Sequence, residues 1–266
     1  MRGLRARTDQ PLVPTVADCP DVLPTERLGE TGKARPALRS ELRQISDAAN
    51  ALSVVVLWLW VAVLVIVATT WPRWWVVALI FVLMGPIHVR FAILMHESAH
   101  RLLFTSKRLN DLVGRWLIAA PALIPLDLYR RGHMAHHREE FGPDEPDLAF
   151  YAGYPCRPTD LRRRLLRDAV GISGWKNFAV LLRALTTARG RTIAGPILLV
   201  QAALWAGSWA ATGAWWAYPV LWWLPWMTQW RVLNRLRAIA EHGGMSKSSD
   251  RRLTTHHVAQ HLIARF

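Results

Sequence analysis

The histidines of this chain fall into short clusters whose spacing suits metal binding. His96 and His100 in HESAH are four positions apart, and His133, His136 and His137 in HMAHH are three and four apart. Residues at these separations share one face of a helix, so each cluster can direct several imidazoles at one point. Five imidazoles on two helical faces predict a metal site.

Neutral imidazole is a common ligand for zinc, copper, iron and nickel, so the clusters alone leave the metal open. A single histidine is more often solvated or packed in a core, but here two clusters hold half of the ten histidines. His88 lies close by in the sequence. It would be about 80° away from the face of His96 on a helix, and we leave it out of the predicted site.

The composition indicates a membrane protein. Hydrophobic residues make up 52% of the 266 positions, in blocks that also carry most of the fifteen tryptophans. The two cysteines, Cys19 and Cys156, are far apart and form no CxxC motif, which argues against a thiolate metal site. The chain therefore has to place its histidines with membrane helices.

The net charge of +14 could suggest nucleic acid, but its distribution favours a membrane topology. All lysines and arginines except Arg73 and Arg90 lie before residue 51, between 101 and 191, or after 230. These three blocks can all face the cytosolic side of one bilayer. We therefore expect contact with anionic lipid headgroups and no nucleic-acid partner.

We expect an all-α integral membrane fold with four transmembrane helices in two hairpins and a histidine-rich helical cap on the cytosolic side. The expected spans are uncharged or nearly so and approach the length that crosses about 30 Å of hydrocarbon. They are residues 51–71, 74–95, 195–212 and 215–230. Both termini and all histidine clusters then lie on the cytosolic side.

An apolar segment at 112–129 interrupts this pattern. It carries Arg115, Asp127 and two prolines, so we expect a re-entrant or interfacial piece and not a span. A full crossing here would separate HMAHH from HESAH. Residues 1–48 are expected to form a largely disordered, basic cytosolic tail with a short helix between Pro36 and Asp47, and residues 49–266 to form the membrane domain.

These motifs resemble the membrane fatty acid desaturase and hydroxylase family, integral membrane di-iron enzymes with three histidine boxes. HESAH matches the first box, HxxxH, and HMAHH matches the second, HxxHH. RAIAEHGG, with His242, resembles the segment that follows the family's last span, and DEPDL at 144–148 resembles its acidic loop. The resemblance implies two iron ions held by six histidines, namely His96, His100, His133, His136, His137 and His242.

The family's third box, a second HxxHH, is not present. The chain has His256, His257 and His261 instead, and their order and spacing differ from those of the box. We expect a truncated member that lacks the final box, with an incomplete coordination shell and impaired turnover. Completion of the shell by these three histidines is the alternative.

The resemblance implies an enzyme that uses O₂ and electrons to desaturate or hydroxylate a fatty acyl or similar lipid chain. The electrons would come from a separate donor, such as a ferredoxin or a cytochrome, because no GxGxxG or CxxCH motif occurs here. Several acidic residues could orient ligating histidines or could equally form surface ion pairs with arginines. These are Glu97, Asp127, Asp144, Asp147 and Glu241.

Two other functions are compatible with parts of the sequence. HESAH also fits HExxH, in which two histidines bind zinc and Glu97 would act as general base of a membrane-embedded protease. That function gives HMAHH and His242 no role. A metal transporter would need ionisable residues in the middle of several spans, and the first, third and fourth expected spans contain none.

Overall fold

The computed structural model describes residues 17, 19 and 21–254, and the regular secondary structure of this part is helical apart from one isolated β-bridge between Leu28 and Ala34. The helices are α1 (Pro36–Leu42), α2 (Asp47–Thr70), α3 (Trp74–Ala99), α4 (Lys107–Val113), α5 (Leu126–Glu139), α6 (Leu148–Tyr151), α7 (Pro158–Ala169), α8 (Ile172–Ala184), α9 (Ala188–Thr212), α10 (Leu224–Met227) and α11 (Gln229–His242). Two π-helical segments, Gly114–Ala119 and Pro219–Trp223, and a 3₁₀ turn, Arg251–Leu253, complete the described part.

Three of these helices, α2, α3 and α9, are long and apolar enough to cross a membrane. They contain the expected spans 51–71, 74–95 and 195–212 almost entirely, and α3 extends further than expected, through HESAH to Ala99. The start of α2 is fixed by Ser46, whose hydroxyl accepts a hydrogen bond from the Ala49 N–H at 3.4 Å.

The expected fourth span, 215–230, does not form one helix of spanning length among the described residues. It consists of a π-helical segment, the short α10 and the first residues of α11, with a break at Thr228. Pro219 and Pro225 lie in this stretch, and a proline removes a backbone donor from the helical ladder. The prolines alone do not end a helix, since α3 and α9 continue past Pro86 and Pro196. The break lies at Thr228, whose φ is −116° and ψ is −80°.

The segment expected to be re-entrant, 112–129, contains the end of α4, a π-helical segment, an irregular turn and the start of α5. The carbonyls of the turn accept hydrogen bonds from distant side chains. Gln201 donates to the Ala120 carbonyl at 2.6 Å, Trp222 to the Pro121 carbonyl at 3.1 Å and Trp226 to the Ala122 carbonyl at 2.7 Å. Irregular backbone inside a membrane bundle requires such partners. Its depth in the bilayer stays a prediction.

Helix α3 is the centre of the structure, because it packs against α2, α5, α10, α11 and both π-helical segments. An aromatic cluster supports its middle. The ring of Trp222 stacks on Trp58 with centroids 5.9 Å apart, and Phe91 presents its edge to Trp222 at 5.2 Å. Phe91 is fully buried, so this cluster fixes the position of α3 on which the histidines depend.

The first π-helical segment crosses the end of α3 at very close range. A Cβ atom added to Gly114 would lie 1.8 Å from the Ser98 Oγ and 2.7 Å from the Ser98 Cβ. The buried Asn110 holds this crossing, since its amide donates to the Ser98 carbonyl at 3.0 Å and its side-chain oxygen accepts from the Leu103 N–H at 3.1 Å.

Part of the N-terminal tail, residues 21–48, contacts the rest of the chain. It contains α1, which ends at Leu42, before the predicted limit at Asp47. The carbonyl of Thr31 accepts a hydrogen bond from the backbone N–H of Arg251 at 3.0 Å. Disorder of the tail 1–48 stays a prediction, as do the limits of the membrane domain.

Candidate metal centre

Three helices carry the predicted ligands to one end of the bundle. His96 lies in the last turn of α3 and His100 caps its C-terminus. The HMAHH cluster occupies the second half of α5, and α11 ends at His242. The last three predicted candidates, at positions 256, 257 and 261, lie outside the described residues.

Arg130 fixes α5 against the end of α3. Its Nε donates to the Ala99 carbonyl at 3.0 Å, and its Nη2 donates to the Ser98 carbonyl at 3.0 Å and to the Asp111 carboxylate at 2.6 Å. The last carbonyls of a helix have no partner within it, so this guanidinium serves as the cap of α3. It thereby sets the register between the two helices that bear the histidine clusters.

The first histidine group consists of His96, His100, His133 and His137. Each contributes one ring nitrogen, and these four nitrogens lie within 4.8 Å of one another. The Nε2 atoms of three of these histidines lie close to one another. His100 and His133 are 2.9 Å apart at these atoms, His133 and His137 are 3.1 Å apart, and His100 and His137 are 3.3 Å apart. The ring of His96 lies 4.5 Å from that of His133, centroid to centroid.

Hydrogen bonds among themselves cannot satisfy these three nitrogens. A neutral imidazole nitrogen carries either a hydrogen or a lone pair, so at least one of the three pairs must be donor against donor or acceptor against acceptor. Imidazole nitrogens bound to one transition-metal ion at about 2.1 Å and at angles of about 90–110° are about 3.0–3.4 Å apart. The observed separations therefore suit three lone pairs directed at one cation.

The second histidine group consists of His136, Glu140 and His242, again with potential ligand atoms within 4.8 Å of one another. The His242 Nδ1 is buried and has no hydrogen-bond partner within the described part of the chain, and the nearest Glu140 oxygen is 3.7 Å away. A buried nitrogen in this state is costly unless a ligand fills the gap. Two histidines and one carboxylate form a donor set typical of non-haem iron.

Glu145 orients His136. Its Oε1 lies 2.6 Å from the His136 Nδ1, and it also accepts hydrogen bonds from the backbone N–H groups of Phe141 and Asp147. Although burial raises the pKa of Glu145, these hydrogen bonds hold it below its usual value, so the carboxylate is charged. The Nδ1 of His136 then carries the hydrogen, and its Nε2 is left free to bind a metal.

The acidic residues proposed from the sequence have different surroundings. Glu97 contacts the His96 Nδ1 at 3.1 Å, as an orienting residue would. Asp127 and Glu241 instead form ion pairs with arginines, Asp127 with Arg115 at 2.7 Å and Glu241 with Arg237 at 2.8 Å. Asp147 joins His136 and Glu145 in a third possible ligand group, and Asp144 is exposed. Glu140 and Glu145 were missed, although Glu145 lies within the quoted DEPDL motif.

The electrostatics of the first group favour a bound cation. Burial, and then the neighbouring imidazoles, lower the pKa of His100 to about 4. The same causes lower the pKa values of His133 and His137, and burial also lowers that of His242. These rings are therefore neutral at physiological pH, and neutral imidazole is the form that binds metals.

A cavity of about 780 Å³ lies beside both histidine groups, and part of its wall is apolar. Its lining includes histidines of both groups, the apolar Ala92, Met95 and Ile124, and charged residues such as Arg231. His88 lies apart from both groups, buried, with its Nε2 3.0 Å from the Trp222 carbonyl oxygen. The cavity could admit an apolar chain to the histidines.

A family model described as fatty acid desaturase matches residues 72–266. Because the match covers most of the sequence, this chain belongs to the fatty acid desaturase family, and the resemblance seen in its motifs is confirmed. Together with the three apolar helices, membership supports an integral membrane protein with a desaturase-type function. It also favours this function over an HExxH protease.

Two curated relatives are the Delta(12) fatty acid desaturases of Mortierella isabellina and Mortierella alpina. Each is 32% identical to this chain over 68 residues, which are 26% of this chain and 15% of the relative. The chain thus matches only a small part of each relative's length. No solved structure matches.

Proposed function

We propose that this protein is a membrane-bound di-iron oxidase that uses O₂ and electrons to desaturate or hydroxylate a fatty acyl or similar lipid chain. The observation that carries the proposal is the convergence of the His100, His133 and His137 Nε2 atoms beside the second histidine group. Two adjacent ligand groups on three helices suit a centre with two metal ions. The curated relatives support the lipid substrate, since they are named as fatty acid desaturases.

Iron fits the reaction and the donors better than zinc does. Removing hydrogen from an unactivated C–H bond requires an oxidant, and zinc has no redox chemistry. When bound, iron would supply the redox chemistry that activates O₂. The four histidines of the first group and the two histidines and one carboxylate of the second are donors that iron accepts.

The residues of the chain would have distinct roles. The first group, with His96, would hold one metal ion, and the second group, with His136 and His242, would hold the other. Glu145 would keep the His136 ring in its ligating tautomer. Arg130 would keep α5 in register with α3, and the apolar wall of the cavity would hold the acyl chain beside the metals.

Several further features belong to the proposal. The histidine ends of α3, α5 and α11 would face the cytosol, together with both termini, because the basic segments flank them. The segment 112–129 would be re-entrant or interfacial, and the interrupted segment 215–230 would complete the fourth span. Electrons would come from a separate ferredoxin or cytochrome. Histidines 256, 257 and 261 could add ligands to the shell.

The first test is the metal content of the detergent-purified full chain by elemental analysis. We expect about two irons per chain, lost largely in His136→Ala and reduced in Glu140→Gln. Glu241→Gln is the matched control, because Glu241 lines the same cavity but is paired with Arg237. Fatty acids extracted from expressing cells should contain a new double bond or hydroxyl group.

The same measurement tests the zinc protease. One zinc per chain that survives in His136→Ala but is lost in His96→Ala would contradict the di-iron proposal and support an HExxH site. In that case Glu97→Gln should abolish peptidase activity, since Glu97 would be the general base.

A further inference from the structure

Arg231 lies at the start of α11 and lines the cavity that contains the histidine groups. Its guanidinium lies over the ring of Trp226, with the Cζ atom 3.9 Å from the ring centroid. The Nε and Nη2 atoms are buried and have no hydrogen-bond partner among the described residues. Arg231 therefore presents unused donors in a place shielded from bulk water.

The other two arginines that line this cavity each have a carboxylate partner. Arg237 donates to Glu241 at 2.8 Å, and Arg251 donates to Glu140 at 3.0 Å. Arg231 has no ion pair among the residues that the structure describes. Within the described ranges, Arg231 is thus the arginine of this cavity that has no acidic partner.

Asp168 is a buried acid that interacts electrostatically with Arg231, but its carboxylate already has other hydrogen-bond partners. It is almost fully buried and bonds the Arg235 guanidinium through both carboxylate oxygens, and it also accepts a hydrogen bond from the Ser173 hydroxyl. One carboxylate cannot neutralise two guanidinium groups. Among the described residues, Arg231 is therefore left without a carboxylate of its own.

A buried guanidinium with unfilled donors is costly unless an acceptor binds it. An arginine stays charged in proteins and presents a planar fork that suits carboxylate and phosphate oxygens. Asn234 also lines the cavity, one turn along α11, and its amide could donate to the same acceptor. The chemistry of this wall thus selects an oxyanion.

The position of Arg231 indicates what the oxyanion is attached to. Eleven residues separate Arg231 from His242 on the same helix, which is about 16 Å along its axis. The lining of the same cavity also includes Ala92 and Met95 of α3, which are apolar. A ligand that contacts both ends needs an oxyanion at one end and an apolar chain directed at the histidines.

We propose that Arg231 binds the oxyanion head of an amphiphile, either the carboxylate of a fatty acid or a phosphate, and so sets how far its chain reaches along the cavity. The proposal rests on the proposed function where it takes this amphiphile to be the substrate. The binding itself can be measured without turnover.

The experiment is competition binding to the purified full chain, with a fluorescent fatty acid as the displaced probe. Stearate, methyl stearate and stearyl phosphate are compared on the wild-type protein and on Arg231→Gln, Arg231→Lys and Arg237→Gln. Iron content is measured on every sample. A failed metal site then appears as lost iron, whereas a failed head-group site appears as lost discrimination between ligands.

We expect the wild-type protein to bind stearate or stearyl phosphate at least about tenfold more tightly than methyl stearate, since a charge-assisted hydrogen bond is at stake. The better of the two identifies the source of the oxyanion. Arg231→Gln should abolish the preference while its iron content stays unchanged. Arg231→Lys and Arg237→Gln should retain most of the preference.

Two results would overturn the proposal. One is equal affinity of the wild-type protein for stearate, stearyl phosphate and methyl stearate, which would mean that only water occupies the donors of Arg231. The other is a preference that persists in Arg231→Gln or disappears equally in Arg237→Gln. If Arg231→Gln does not fold, the wild-type comparison and the loss expected in Arg231→Met decide the matter on the same criteria.

Discussion

Arg130 on α5 donates a hydrogen bond to the carbonyl of Ala99, the last residue of α3, at 3.0 Å. Through this bond, one histidine-bearing helix caps the other. The two clusters are 33 residues apart when measured from His100 to His133, yet their Nε2 atoms lie 2.9 Å apart. The cap therefore couples the stability of the helix ends to the geometry of the first histidine group.

Arg130→Gln should lower both stability and metal content. The substitution removes charge-assisted hydrogen bonds to two carbonyls and to Asp111, and a loss of about 1.5–3 kcal/mol is typical of such bonds. Thermal unfolding in detergent and iron per chain should both decrease. The control is Arg131→Gln, an exposed neighbour on the same helix, and an equal effect there would contradict the role of Arg130.

Glu145→Gln should weaken the second histidine group without unfolding the protein. An amide can donate to the His136 Nδ1, which would then accept the hydrogen bond and shift the ring hydrogen to the ligating nitrogen. Loss of such an orienting partner typically costs about 10–100-fold in metal affinity. Iron titration of the metal-free protein measures the effect.

Asp144→Asn serves as the matched control for this prediction, because Asp144 is the exposed neighbour in the same loop. Unchanged iron affinity in Glu145→Gln would show that Glu145 has only a structural role. A comparable loss in both variants would mean that the net charge of the loop matters and the contact with His136 does not.

Trp226→Phe should destabilise the irregular turn before α5. The indole N–H donates to the Ala122 carbonyl at 2.7 Å, and phenylalanine retains most of the apolar contact but leaves this buried carbonyl without its donor. The expected cost is about 1–3 kcal/mol. The melting temperature in detergent measures it, with the exposed Trp209→Phe as control. Equal shifts in both variants would rule out the hydrogen bond as the cause.

Asp168→Asn should be more damaging than its position on the outer helix α7 suggests. It leaves the buried Arg235 without its carboxylate, and breaking a buried ion pair on one side costs about 3–5 kcal/mol. Chemical denaturation followed by tryptophan fluorescence reports the loss. Asp160→Asn, on the exposed part of the same helix, should change stability little, and a similar loss there would refute the argument.

The sequence was sufficient for the helices and the first two histidine clusters because these depend on local patterns. Uncharged runs predicted α2, α3 and α9, and the i, i+4 spacing predicted that His96 and His100 share a face. The expected fourth span at 215–230 differs, because hydropathy does not register the break in the helix at Thr228.

The remaining features depend on contacts between distant residues. Trp222 and Trp226 are buried and donate hydrogen bonds to carbonyls about a hundred residues away, which the sequence does not show. Glu145 was overlooked in favour of its neighbours, because only the folded loop shows which of three acidic side chains faces His136. Arg231 carries no motif, and its significance comes from having no carboxylate partner among the described residues, unlike Arg237 and Arg251.

The close crossing at Gly114 sets a limit on sequence variation that stability alone would not reveal. In a saturation library selected for activity, position 114 should accept glycine alone, since even alanine would collide with Ser98 and push the capped end of α3 away from α5. At Gly195 and Gly207 no atom of the described residues lies within 4 Å of an added Cβ, so both positions should accept alanine freely. A comparison of the substitutions tolerated at these three glycines would thus show where the packing of the helices also determines the geometry of the histidine groups.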